Sequence, residues 1–149
     1  MSTRRQAILD ALSTRLGAIQ VAMGFATDAG QTVLLGEVPN LGPDDPAVVL
    51  ALLVGDDTSK YQGAQLLIRL PVHIAIVANA DLAESWKTVE AAIGDVKQAI
   101  ELEDRTLGGL LKSELERGTT RTLPREQGST VVGAAVAYFC SYAELWGTP

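Results

Sequence analysis

The sequence predicts an α+β fold in which an antiparallel or mixed β-sheet carries two α-helices packed on one face. Three observations predict it. Residues 65–77 place an unbroken apolar series on one parity and a more polar set on the other, the period of a strand with one core face. Residues 82–100 instead repeat apolar side chains at steps of three and four, the stripe of an amphipathic helix. Residues 131–145 return to strand character, apolar on both parities. The 149 residues suit one domain spanning 1–149. At 47% hydrophobic and 20% charged, the chain is a globular mixture, which excludes general disorder.

The chain opens with a helix. Ser2 or Thr3 can cap it, Ile8, Leu9, Leu12, Leu16 and Ile19 recur at helical spacing, and Gly17 is a stop signal. Turn formers fill 27–31, and 32–38 and 47–54 read as two strands. The connector 39–46 holds three prolines and a glycine, and Pro46 drives Asp45 out of helical geometry. Every side chain from Ala47 to Val54 is apolar, so cover is expected on both faces of that strand. The polar stretch 55–63 reads as an exposed loop.

In the strand 65–77, Leu66, Ile68, Leu70, Val72, Ile74 and Ile76 share one parity, while Gln65, Arg69 and His73 lie on the other. Pro71 lacks an amide donor, which predicts an edge, a bulge or a bend there. The second helix follows. Asp81 with Glu84 three residues on resembles a capping box, and Leu82, Trp86, Val89, Ile93, Val96 and Ile100 form its apolar stripe. Gly94 costs that helix about 1 kcal/mol relative to alanine, a loss that close backbone packing would explain. Gly108-Gly109 breaks it; 111–123 fits either a polar strand or a short helix, and 123–129 is rich in turn formers. In 131–145, Val132, Val136, Tyr138, Cys140 and Tyr142 share one parity, and Val131, Ala135, Ala137, Phe139 and Leu145 the other. A strand apolar on both sides needs cover on both sides. Short polar turns between strands favour antiparallel pairing.

The chemistry is sparse. A net charge of −6 disfavours non-specific grip on nucleic acid or an anionic membrane. No apolar run reaches the roughly 18 residues of a membrane-spanning helix, and Arg4 and Arg5 are not followed by a signal-type apolar segment, so a soluble cytoplasmic product is expected. Cys140 and His73 are the sole residues of their kinds, which excludes an internal disulfide and a His/Cys metal cluster. His73 lies mid-strand and reads as a sheet-surface histidine; Cys140, between Phe139 and Ser141, reads as a buried inert thiol. The acid pairs Asp44-Asp45, Asp56-Asp57 and Glu103-Asp104 lack the spacing of a calcium loop, and no phosphate loop, Gly-x-Ser-x-Gly or His-Glu-x-x-His occurs. The expectation is a non-enzyme with no cofactor and no metal. One asymmetry stands out: between Arg105 and Arg125, five basic residues (Arg105, Lys112, Arg117, Arg121, Arg125) face two acids, Glu114 and Glu116, inside an acidic chain.

Two segments carry a family resemblance. The run W-K-T-V-E-A-A-I-G-D-V-K-Q-A-I-E-L-E-D-R-T-L-G-G-L from Trp86 to Leu110 resembles a stretch of phage and prophage tail-terminator (tail completion) proteins. So does the ending R-E-Q-G-S-T-V-V-G-A-A-V-A-Y from Arg125 to Tyr138, onward to Trp146. The likeness covers mainly 82–146. It implies a small α+β subunit of a hexameric ring that caps the finished tail tube of a long-tailed phage, stops its polymerisation and offers a surface to the head connector. The implied partners are copies of itself, the tail-tube protein and the connector or neck protein, with genomic DNA passing through unbound. The implied location is the neck end of the virion tail, after assembly in the host cytoplasm. No catalytic residue or cofactor carries across.

A closed ring needs two different complementary patches per subunit. The expected contact residues are basic Arg117, Arg121 and Arg125, acidic Asp44, Asp45, Asp56 and Asp57, and Tyr61. Other readings stay open: another head–tail neck or tail-tube-related protein, or, in a different class, a small ligand-binding or hydrolytic domain that uses His73 with nearby carboxylates.

Overall fold

Two fifteen-residue strands, Gln65–Asn79 and Val131–Leu145, pair antiparallel along their whole length and form the spine of the molecule. The computed structural model describes residues 3–38, 41, 45–80 and 84–149. Among them the elements run α1 (Arg4–Gly17), β1 (Val33–Leu35), β2 (Val48–Val54), β3 (Thr58–Gln62), β4 (Gln65–Asn79), α2 (Ser85–Glu101), β5 (Glu116–Leu123) and β6 (Val131–Leu145). The strands form one mixed sheet in the order β1-β2-β4-β6-β5, with β3 pairing β4 beyond the end of β2. The fold is α+β, as the periodicities predict.

Strand parity decides the core. Ile68, Leu70, Val72, Ile74 and Ile76 of β4 and Val136, Tyr138, Cys140 and Tyr142 of β6 point to the same side and are buried. Against them lie Ile8, Leu12 and Leu16 of α1 and Val89, Ala92, Ile93, Val96 and Ile100 of α2, in one continuous core. Helix α1 begins where its cap predicts: the Thr3 hydroxyl accepts the Gln6 amide at 3.1 Å. Among the described residues no helix is long and apolar enough to cross a membrane.

Several local expectations need correction. Strand β1 has three residues, not the whole of 32–38, and it pairs parallel to β2. The long proline-rich connector permits this, because a parallel neighbour needs a crossover rather than a tight turn. Residues 58–62 form a strand, not a loop. Helix α2 begins at Ser85, with Glu84 at its N-cap in the left-handed region (φ 55°); Asp81 and Leu82 lie outside the described residues. Trp86 is 61% exposed rather than part of the stripe. A Cβ on Gly94 would meet nothing within 4 Å, so no backbone approaches it.

Two features of the sequence find their reasons. Pro71 falls opposite the break between β2 and β3, where the Gly55 amide donates to its carbonyl at 2.9 Å. Its missing donor would face the same gap, just past the last β2–β4 pair, Val54 with Val72, so the ladder loses a bond only at its end. Asp95, buried in α2, accepts from the Ala26 amide (3.0 Å), the Thr27 amide (2.8 Å) and the Thr27 hydroxyl (2.7 Å), fastening the loop after α1 to the second helix. A buried carboxylate is tolerated there because its oxygens are satisfied.

Candidate functional site

Both helices occupy one face of the sheet, which makes the opposite face the place to look. The same strands present smaller residues there: Ala51 on β2, Ala75 on β4, and Gly133, Ala135 and Ala137 on β6, interspersed with Leu53, Val77 and Phe139. One corner is closed from within the chain, where Leu41 of the connector packs on Val49, Val77 and Val131. Beside it an apolar groove of about 350 Å³ stays open, with Val38 and Leu53 on one side, Leu123 and Pro124 on the other, and Ala75, Gly133 and Ala135 as floor. Val38 is 55% exposed and Leu123 39%. Gly133 keeps the floor low because β4 runs close: a Cβ there would stand 2.2 Å from the Ile76 carbonyl oxygen. Further along, the Arg69 guanidinium lies 3.8 Å above the Phe139 ring and reaches Glu116 at 3.4 Å, which closes that end.

The basic stretch does not gather into one patch. Positions four apart on a regular strand share a face. Between Arg117 and Thr120, however, β5 advances three residues while β6 advances two, from Tyr138 to Val136. This bulge turns Arg117 and Arg121 to opposite faces. Arg117, paired with Tyr138, faces the helices and donates Nε and Nη2 to Glu101 at 2.9 and 2.6 Å. The Tyr138 hydroxyl donates to the same carboxylate at 2.7 Å. Burial pushes Glu101 upward, but the hydrogen bonds from Arg117 and Tyr138 and the charge of Arg117 outweigh it and hold Glu101 below the usual carboxylate value. Burial, and then the bond to Glu101, push Tyr138 upward. Arg121, paired with Ala135, stands beside the groove and has no ion pair among the described residues. Arg125 donates Nε to the Ser129 carbonyl at 3.0 Å, bracing the β5–β6 turn.

The acidic set is also dispersed. Asp45 is exposed just ahead of β2, and Asp44 lies outside the described residues. Asp57 accepts from Arg5 of α1 at 2.9 Å, while its neighbour Asp56 is exposed. Tyr61 sits on β3, not in a loop; it is 78% exposed and tilts against Trp146 with ring centroids 5.3 Å apart. Sequence reasoning missed this pair and the groove. The available signal for the first was Trp146 itself, a large aromatic placed just past the end of an alternating strand, before a glycine turn.

His73 projects from the helix-free face between Leu53 and Ala137. It is exposed and has no hydrogen-bond or ion-pair partner among the described residues, so no group there orients it for proton transfer. Cys140 is buried on the helix side, and burial pushes its thiol up to about 12. Among the described residues no group of three or more His, Cys, Asp or Glu is placed to hold a metal ion.

No protein-family model matches the sequence, and no curated protein matches it.

Proposed function

We propose that this chain is a structural subunit of a ring that caps the tail tube of a long-tailed phage, ends tube growth and receives the head connector. The observation that carries the proposal is the open apolar groove on a sheet face to which neither helix contributes. An apolar groove on a sheet face that no helix covers is a surface another polypeptide can fill, and that supports an assembling subunit. The resemblance of 82–146 to tail-terminator proteins supplies the kind of assembly and the hexameric count. The net negative charge suits a collar that DNA slides through, since an acidic wall gives phosphates no counter-charge to release.

The test combines the purified chain with polymerising tail-tube protein and images the products by electron microscopy. The expected result is a ring at one end of each tube and tubes that stop lengthening once it is present. A chain that leaves tube growth unchanged and forms no ring on the tubes or in solution would overturn the reading.

A further inference from the structure

We infer that the aromatic pair Tyr61–Trp146 of one copy seats in the apolar groove of the helix-free face of the next, so that copies join head to tail. The inference rests on the ring reading and supplies its contact. Tyr61 and Trp146 form an exposed aromatic pair well away from the groove, 78% and 57% exposed; Met23, Trp86 and Leu102 are exposed too, but among the described residues no ring contact joins them into a larger surface. Their mutual stacking and the strand pairing of Tyr61 with Leu66 fix their position. Such a knob loses little freedom on binding, which is the property of an interface anchor.

Placement makes the contact intermolecular. Tyr61 registers with Leu66, at the start of β4 and on the helix side. The groove floor, Ala75, Gly133 and Ala135, lies on the other face about ten residues along the β4–β6 ladder, roughly 35 Å away at about 3.4 Å per residue. No copy can reach its own groove. Two different patches at opposite ends and on opposite faces define a heterologous contact, which repeats from copy to copy and closes into a ring when the rotation allows.

Charge fits the same pairing. Leu66 also registers with Glu144, which places Glu144 in the cross-strand row of Tyr61. Arg121 flanks the groove, two residues from Leu123 on the same face. Neither Glu144 nor Arg121 has an ion pair among the described residues, so an unpaired acid stands beside the knob and an unpaired base beside the groove, whose lining also holds one acid, Glu126. The occupant assigned is a second copy presenting this aromatic surface, with its Glu144 on the side of Arg121.

The test places the photo-crosslinking residue benzoylphenylalanine at position 61 of the full chain. Isotopically light and heavy copies are irradiated together, at the highest soluble concentration and again on tail tubes, and the joined peptides are mapped by mass spectrometry. Links from position 61 into residues 123–135 of a different copy are expected, and they should disappear when the receiving copy carries Leu123→Asp. Sedimentation supplies the second arm wherever the unmodified chain assembles in solution. The double variant Tyr61→Ala, Trp146→Ala and the variant Leu123→Asp alter exposed side chains, so each should fold and run at the mass of one copy. Mixed in equal amounts they should rise twofold and stop, because each mixed pair keeps one intact contact. Rings whose links map elsewhere, rings with no such link, or variants that keep the parent size would overturn this contact while leaving the ring. Tubes that carry no ring and no link would remove both.

Discussion

The two faces of the β4–β6 spine are made by the same strands and could hardly differ more. On the helix side stand Ile74, Ile76, Val136, Tyr138 and Tyr142, all buried under α1 and α2. One residue away along each strand stand Ala75, Val77, Ala135 and Ala137. Both rows are apolar, yet their areas differ greatly, and stabilisation scales with area removed from water. The helix side holds the fold together. The other side is kept apolar but shallow, which leaves a groove rather than a broad sticky sheet. A face built from alanine and glycine, with Ala51, Ala75 and Ala137 already buried between larger neighbours, costs a lone subunit little without helix cover and still lets a partner approach closely.

The sharpest way to break this comparison is to truncate one large residue on each face. Ile76→Ala should cost about 2–5 kcal/mol of unfolding free energy, because it opens a cavity beneath both helices. Leu53→Ala, half-buried on the groove wall, should cost about 1 kcal/mol in the single subunit. If copies cover that wall, the Leu53 penalty should also grow with protein concentration, whereas the Ile76 penalty should not. Denaturant titrations at two concentrations read both. Equal penalties would mean that the second face is as much core as the first.

A smaller effect probes how the edge strand is tied to the helix face. Tyr138→Phe removes the hydroxyl bond to Glu101 and should cost about 1.5 kcal/mol, the low end for a bond to a charged acceptor. Glu101 also makes stability depend on pH. Its folded value lies below the unfolded one, so its contribution is present above the ordinary carboxylate range and is lost as pH falls through the folded value. Glu101→Gln should therefore flatten the acid limb of a stability–pH curve and leave little pH dependence for Tyr138→Phe to alter. An unchanged acid limb would detach Arg117 and β5 from this anchor.

What was legible in the sequence divides along the same line. Wherever one side of an element is buried, its period shows: the parity of Leu66 to Ile76 and the spacing of Val89 to Ile100 were readable because burial imposes them. Strand β3, Thr-Ser-Lys-Tyr-Gln, is exposed at every position, so it had no buried face to leave a period. The bulge in β5 is a register event between two strands, so no local pattern announces that Arg117 and Arg121 part company. Nothing in the local sequence marks Asp95 as buried; only the approach of Ala26 and Thr27 makes it a buried acceptor. The groove depends on four strands and a connector meeting, and no single segment encodes it.

The smallest prediction isolates helix propensity from both faces. Gly94 lies in the interior of α2, its absent side chain would point into open space, and its φ is not positive. Nothing in the fold uses the glycine. Alanine there should lower the entropy of the unfolded chain and raise stability by somewhat under about 1 kcal/mol. The gain should leave particle size and tube capping unaltered, since neither the core nor the groove is touched. Thermal unfolding of Gly94→Ala would read it as a higher midpoint. A lower midpoint would mean that a neighbouring backbone approaches α2 here, so that part of the helix layer, and not only the groove, is completed by another copy.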